Sequence, residues 1–160
     1  MKKIFFILLF IPFSIFGQLA GTVHDFGGDD RCNICHDGRL RSTLFYNLYW
    51  SPTLDAYLMQ PMEGSIECLD CHNGGNLKIT MGQSTNFGTD LSNHHPISFI
   101  YDNALVLRDS ELHEVIRVSK FLKDGRVECV SCHDVHGSGY PNLLKMSNQG
   151  SALCLSCHKK

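Results

Sequence analysis

Residues 129–158 read CVSCHDVHGSGYPNLLKMSNQGSALCLSCH, and within this stretch Cys-x-x-Cys-His occurs twice, with a further histidine, His136, soon after the first copy. On one helical turn residues i, i+3 and i+4 share a face. Two thiols can therefore bond the vinyl edges of a porphyrin while the adjoining imidazole reaches its iron. Each copy is a signal for covalent haem attachment. Outward from this stretch the pattern recurs at Cys32-Asn33-Ile34-Cys35-His36 and at Cys68-Leu69-Asp70-Cys71-His72, and the four copies use all eight cysteines of the chain.

Zinc ribbons and redox-active dithiols also employ Cys-x-x-Cys, but neither asks for histidine in the fifth place. Histidine is 9 of 160 residues, so its recurrence after all four pairs has a chance probability of about one in a hundred thousand. The expectation is four covalently bound haem c groups. They would hang on Cys32 and Cys35, Cys68 and Cys71, Cys129 and Cys132, and Cys154 and Cys157, with His36, His72, His133 and His158 as proximal iron ligands.

The chain opens with MKKIFFILLFIPFSIFG, two lysines and an apolar run ending at the small residue Gly17. That is the pattern of a secretory signal peptide. A retained membrane helix fits less well, because the run is short, is interrupted by Pro12 and Ser14, and has no basic cluster after it. The expected organisation is a signal peptide at 1–17 and one haem-bearing domain at 18–160, periplasmic or extracellular, with no stable membrane insertion after cleavage. The formal charge is −2 over the whole chain. Loss of Lys2 and Lys3, together with the haem carboxylates, makes the mature protein more negative, which argues against nucleic acid as a partner.

With 14 glycines, few long periodic stretches and four attachment sites, little room is left for a conventional core. The expected fold is mostly loops with short α-helices packed around covalent haems, and little β. Phe45, Leu48 and Tyr49 read as one face of a short helix. Residues 73–93 read as loop. Leu112, Val115, Ile116, Val118 and Phe121 suggest an amphipathic helix or an edge hairpin before an Asp124-Gly125 turn, and Ser151 is expected to cap the last helix.

Haem iron accepts a second axial ligand, which gives weight to the histidines outside the motifs. His24 lies in a Gly- and Asp-rich loop before the first attachment site. His94 and His95 are adjacent in an extended segment, where successive side chains point opposite ways, so the pair can serve two different haems. His136 leaves the same short stretch of backbone as His133 and is expected to ligate a neighbouring haem, drawing two haems together. His113 stands among Asp109, Glu111 and Glu114. Met59, Met62, Met81 and Met146 are thioether substitutes, with packing the favoured role.

Four stretches, HDF at His24, SNHHPISF at 92–99, SCHDVHG at 131–137 and LCLSCH at 153–158, resemble the multihaem c-type cytochromes of the doubled Cys-x-x-Cys-His class. The resemblance implies a multihaem cytochrome c architecture of low-potential, mostly bis-histidine electron carriers, some of which polymerise into extracellular haem filaments. By residue it implies distal ligands at His24, His95 and His136. Relatives often carry further histidines just after the first motif and in a Leu-Trp-Asn-His segment; here those places read Asp37-Gly38-Arg39 and Leu44-Phe45-Tyr46-Asn47. The fourth distal ligand is then His94 or His113, with His94 favoured because Pro96 holds its neighbourhood extended, or it comes from the next subunit of an assembly.

Two functions follow. The first is an exported tetrahaem carrier passing electrons between redox protein partners or to extracellular acceptors. The alternative is a small multihaem reductase, with one open haem site, acting on nitrogen or sulfur oxyanions.

Overall fold

The structure is a computed structural model that describes residues 24, 32–36, 46–48, 58–59, 61–72, 87–92 and 94–160. The leader at 1–17 and Met81 lie outside the described residues. In chain order the elements are α1 (Asn33–His36), β1 (Tyr46–Leu48), β2 (Leu58–Met59), α2 (Ile66–His72), β3 (Asp90–Leu91), β4 (Phe99–Ile100), α3 (Asn103–Arg108), α4 (Val115–Val118), β5 (Arg126–Val127) and α5 (Cys129–Cys132). Single 3₁₀ turns lie at Ser119–Phe121, Pro141–Leu143, Gln149–Ser151 and Cys154–Ser156. Helices of one or two turns do not sustain themselves, so each is held by what it packs against. The architecture is mostly loop and short helix with little β, as expected.

The helix expected across Phe45, Leu48 and Tyr49 is not formed. Tyr46–Leu48 is instead the central strand of a small sheet, antiparallel to β2 (Tyr46 opposite Met59) and parallel to β3 (Leu48 opposite Leu91). Phe45 and Tyr49 themselves lie outside the described residues. Such a short run carries no decisive period, and its aromatic composition suits a strand. Within the expected loop 73–93, β3 supplies the parallel partner.

Residues 97–127 carry a side-chain core that the glycine-rich composition did not lead us to expect. Tyr101, Leu105, Leu112, Val118 and Val127 are buried together, with Phe99, Val106, Val115, Leu122 and Cys157 packed against them. The sequence builds this unit with strong local signals. Asp102 accepts a hydrogen bond from the Leu105 N–H at 2.8 Å and caps α3. Asp124 and Gly125 both have positive φ, 52° and 76°, the backbone of a tight hairpin turn, and Lys123 and Arg126 exchange backbone bonds across it. β4 then pairs antiparallel with β5, Phe99 opposite Val127. In α4, Val118 is buried but Ile116 is 82% exposed. A single turn buries one narrow stripe, and Ile116 falls outside it.

A second, smaller cluster joins Leu69 of α2 to Leu91 of β3 and Ile97. Ser151 does not cap the last helix. It ends a 3₁₀ turn at φ 61°, and the Leu153 N–H goes instead to the Asn148 side-chain oxygen at 3.2 Å.

Candidate functional site

Each Cys-x-x-Cys-His forms one turn closed by its own backbone. His36 donates its N–H to the Cys32 carbonyl at 3.0 Å, His133 to Cys129 at 3.0 Å and His158 to Cys154 at 2.9 Å. The second motif occupies the last turn of α2. In an α-helical turn this spacing sets the two thiols and the imidazole on one side, as covalent attachment needs. All eight cysteines are uncrosslinked, and among the described residues no group of three or more His, Cys, Asp or Glu side chains converges to hold a metal ion.

The second and third turns are joined at their N-terminal ends by a buried polar cluster that sequence reasoning missed. Glu128 is 1% exposed and Ser65 and Ser98 are fully buried or nearly so. Both serine hydroxyls donate to Glu128 Oε2, the Cys129 N–H donates to Ser65 Oγ at 2.8 Å, and the Glu128 N–H donates to Ser131 Oγ at 2.9 Å. Ser98 Oγ also accepts the Met62 N–H at 3.0 Å. One carboxylate thus ties together the start of α2, the approach to β4 and the start of α5. Burial is the main influence on this carboxyl and raises its pKa above the usual range, against the hydrogen bonds from Ser65 and Ser98 and the charge of Arg126, which lower it; Glu67 raises it further. The only sequence signal was a glutamate before the third motif, which alone reads as a solvated charge.

The same junction places the Cys68 and Cys129 thiols within hydrogen-bonding reach. That bond pushes Cys68 up and Cys129 down. Burial raises Cys35, Cys71, Cys132 and Cys157, so most of these sulfurs rest as protonated thiols.

The histidines fall into pairs drawn from distant parts of the chain. The rings of His24 and His72 lie 6.2 Å apart, those of His36 and His136 6.1 Å, and those of His95 and His158 6.3 Å. A ligating imidazole nitrogen sits about 2 Å from its metal, with the ring centre about 1 Å behind it. Two imidazoles on opposite sides of one iron therefore have centres about 6 Å apart. All three separations match, so the residues present fit a bis-histidine haem at each pair. The interplanar angles differ, 8° for His36 and His136, 43° for His24 and His72, and 78° for His95 and His158.

Local bonds prepare these rings. His95 Nδ1 lies 2.8 Å from the Pro96 carbonyl and His133 Nδ1 lies 2.9 Å from the Asn142 carbonyl. A carbonyl only accepts, so Nδ1 carries the proton and Nε2 is left to ligate. Burial lowers the pKa of His95, and His158 nearby lowers it further, while the Pro96 carbonyl opposes them. His24 is likewise lowered, by burial first and by the charge of His72 second. Both are thereby kept in the neutral form that binds metal.

His94 and His95 diverge as their extended backbone requires. His95 faces His158, whereas the His94 ring meets the edge of Phe87 at 5.2 Å. Phe87 is stacked on His72 at 5.7 Å, and its N–H donates to the His72 carbonyl at 2.7 Å. This aromatic contact was also missed; its trace in the sequence is a lone aromatic in a polar loop. His136 sits against His36 and is drawn away from its own motif. His113 is fixed through its backbone, its N–H donating to the Cys157 carbonyl at 2.8 Å and its carbonyl accepting the Tyr101 hydroxyl at 2.7 Å.

The family model for the doubled CXXCH motif matches residues 121–160. Among curated proteins none matches the chain. The family match covers the third and fourth turns and supports a multihaem, c-type-cytochrome-like protein that binds haem c covalently and serves electron transfer.

Proposed function

We propose that the chain is an exported tetrahaem cytochrome c that carries electrons between redox protein partners or to extracellular acceptors. The observation that carries this reading is the coincidence of four attachment turns using every cysteine with three imidazole pairs at the spacing of a shared iron. His36, His72, His133 and His158 are the proximal ligands. His136, His24 and His95 are the distal ligands of the first, second and fourth sites. When bound, haem supplies one-electron chemistry without a proton donor or a substrate pocket.

The chain's own residues do the rest. Eight thiols anchor the cofactor, the Asn142 and Pro96 carbonyls orient imidazoles, and burial keeps His24 and His95 neutral. The leader-like residues 1–17 support a periplasmic or extracellular setting, and the negative charge of the mature chain suits protein partners rather than nucleic acid. Assembly of copies into a haem filament belongs to the same reading. Among the described residues no helix is long and apolar enough to cross a membrane.

The test is the intact mass and spectrum of the exported protein. Four haem additions with predominantly low-spin bands are expected; fewer additions after full maturation would end the tetrahaem reading.

A further inference from the structure

The carboxyl at the junction of the second and third attachment turns takes no part in holding haem, yet Glu128 is only 1% exposed. Its Oε2 accepts the Ser65 hydroxyl and, at 2.9 Å, the Ser98 hydroxyl. Its Oε1 is buried without a hydrogen-bond partner. A carboxylate shares its charge over both oxygens, so in the ionised form half of that charge stands unsolvated. The neutral acid puts a proton on the bare oxygen and leaves Oε2 to accept the two hydroxyls.

The charged groups around this carboxyl are engaged elsewhere. Arg126 of β5 donates to the Ser98 carbonyl at 3.0 Å, Glu67 of α2 accepts the Gly64 N–H at 2.8 Å, and Lys123 pairs with Asp124 at 3.1 Å. The remaining neighbours are the Cys129 sulfur of α5 and, against it, the Cys68 sulfur of α2. Under the proposed attachment both are thioethers and do not titrate. The residue after Glu128 is then bonded to a porphyrin edge, so the charge of that haem acts on a desolvated carboxyl at short range, where screening is weak.

We propose that Glu128 is a redox-linked proton site: its Oε1 takes up one proton from solvent when the haem on Cys129 and Cys132 accepts an electron, and releases it when the electron leaves. The electron comes from a reduced redox protein and turns ferric iron ferrous; the proton neutralises the carboxylate, so the combined step leaves the charge of the junction unchanged. Reduction removes one positive charge beside the carboxyl and favours its protonated form, and linkage requires protonation to favour the reduced haem by the same factor. Burial already holds this carboxyl above the ordinary glutamate value of about 4.3. The exchange therefore falls in a pH window above that value. The proposal rests on haem attachment as proposed above and adds proton uptake at one of its sites.

The test uses the full exported chain with its haems attached, after intact mass and peptide mapping have located the additions. Redox titrations from about pH 5 to about pH 8 should show one midpoint potential falling as pH rises, with the equilibrium constant for reduction changing up to tenfold per pH unit, about 59 mV. Glu128→Gln, which keeps the shape but holds no exchangeable acid proton, should lose that pH dependence, and Glu67→Gln should retain it. If Glu128→Gln does not mature, reduced-minus-oxidised infrared spectra of the native protein decide instead. Reduction should then bring up the carbonyl stretch of a protonated acid, and the band should shift when glutamate δ-carboxyls are isotopically labelled. Potentials that do not vary with pH overturn the proposal, as does an equal slope in Glu128→Gln, a slope lost in Glu67→Gln, or an infrared difference without a label-sensitive acid band. Fewer than four haem additions fails the tetrahaem reading separately, because the proton site needs only the haem on Cys129 and Cys132; absence of that haem from its peptide overturns both.

Discussion

At the scale of single residues, an imidazole becomes a useful ligand when its proton sits on the nitrogen that faces away from the metal and its ring stays neutral. His95 has both conditions, through the Pro96 carbonyl and through burial. His136 shows the geometric side: its ring lies 6.1 Å from His36 and nearly parallel to it, 8° apart. We predict that His136→Ala keeps every covalent attachment, since the thioethers belong to other residues, but turns one low-spin haem high-spin or raises its potential. Unchanged spectra and an unchanged redox titration would make His136 a surface residue.

Glu128 lends itself to a test of a different kind. Its folded-state pKa is raised, mainly by burial, so its stabilising contribution is fully present below the ordinary carboxylate pKa and is lost as pH rises through the raised value. Compared with Glu128→Gln, the native protein should therefore lose stability as pH climbs from about 4 towards neutrality. Melting curves of the two proteins that stay a fixed interval apart across that range would contradict this. Glu128→Ala should cost about 2–4 kcal/mol, because it strips the acceptor from two buried serine hydroxyls.

At the scale of elements, the approach of α2 to α5 depends on one residue without a side chain. Gly64 has φ +98°, and a Cβ built there would lie 2.9 Å from Val130 Cγ2 and 3.4 Å from Glu128 Cβ. Its carbonyl also accepts the Val130 N–H at 3.2 Å. Gly64→Ala combines a left-handed backbone with overpacking against side chains, so a loss of about 2 kcal/mol or more is expected. Denaturant titration is the measurement, and a loss below about 0.5 kcal/mol would show that the two turns adjust freely.

The same elements divide what was legible in the sequence from what was not. The attachment turns were legible because their chemistry needs residues at i, i+3 and i+4, a local requirement that sequence spacing records directly. The Asp124-Gly125 turn was legible for the same reason. β1 was misread because three residues cannot distinguish a helical period from a strand, and its partners Met59 and Leu91 are distant in sequence. The junction of Ser65, Ser98, Ser131 and Glu128 was invisible because each member is an ordinary polar residue until the fold buries them together.

At the scale of the whole molecule, the described core of 97–127 contains no attachment motif, yet it touches the fourth one. Cys157 packs against this core, and Leu112 bridges to His158. Tyr101 is the link, buried at 3% exposure and donating to the His113 carbonyl, and its own hydroxyl pKa is pushed up to about 12, chiefly by burial. Tyr101→Phe should lower the melting temperature through loss of about 1 kcal/mol and, under the proposed attachment, shift the potential of the haem at the fourth motif more than those of the others. A uniform change across all haems would argue against this link.

The imidazole pairs also have a meaning for the chain as a polymer. Under the proposed ligation, His36 with His136 closes a loop of about one hundred residues, and a permanent cross-link of that span removes about 4.7 kcal/mol of unfolded-state entropy in the simplest treatment. His24 with His72 and His95 with His158 close shorter loops, and each of these overlaps the 36–136 loop in sequence. Axial ligation of the haems would then act as a set of reversible staples, tying the first attachment turn to the segment after the third across everything between them. Such a chain gains much of its topology during maturation, and a protease given the haem-free form should spare the core at 97–127.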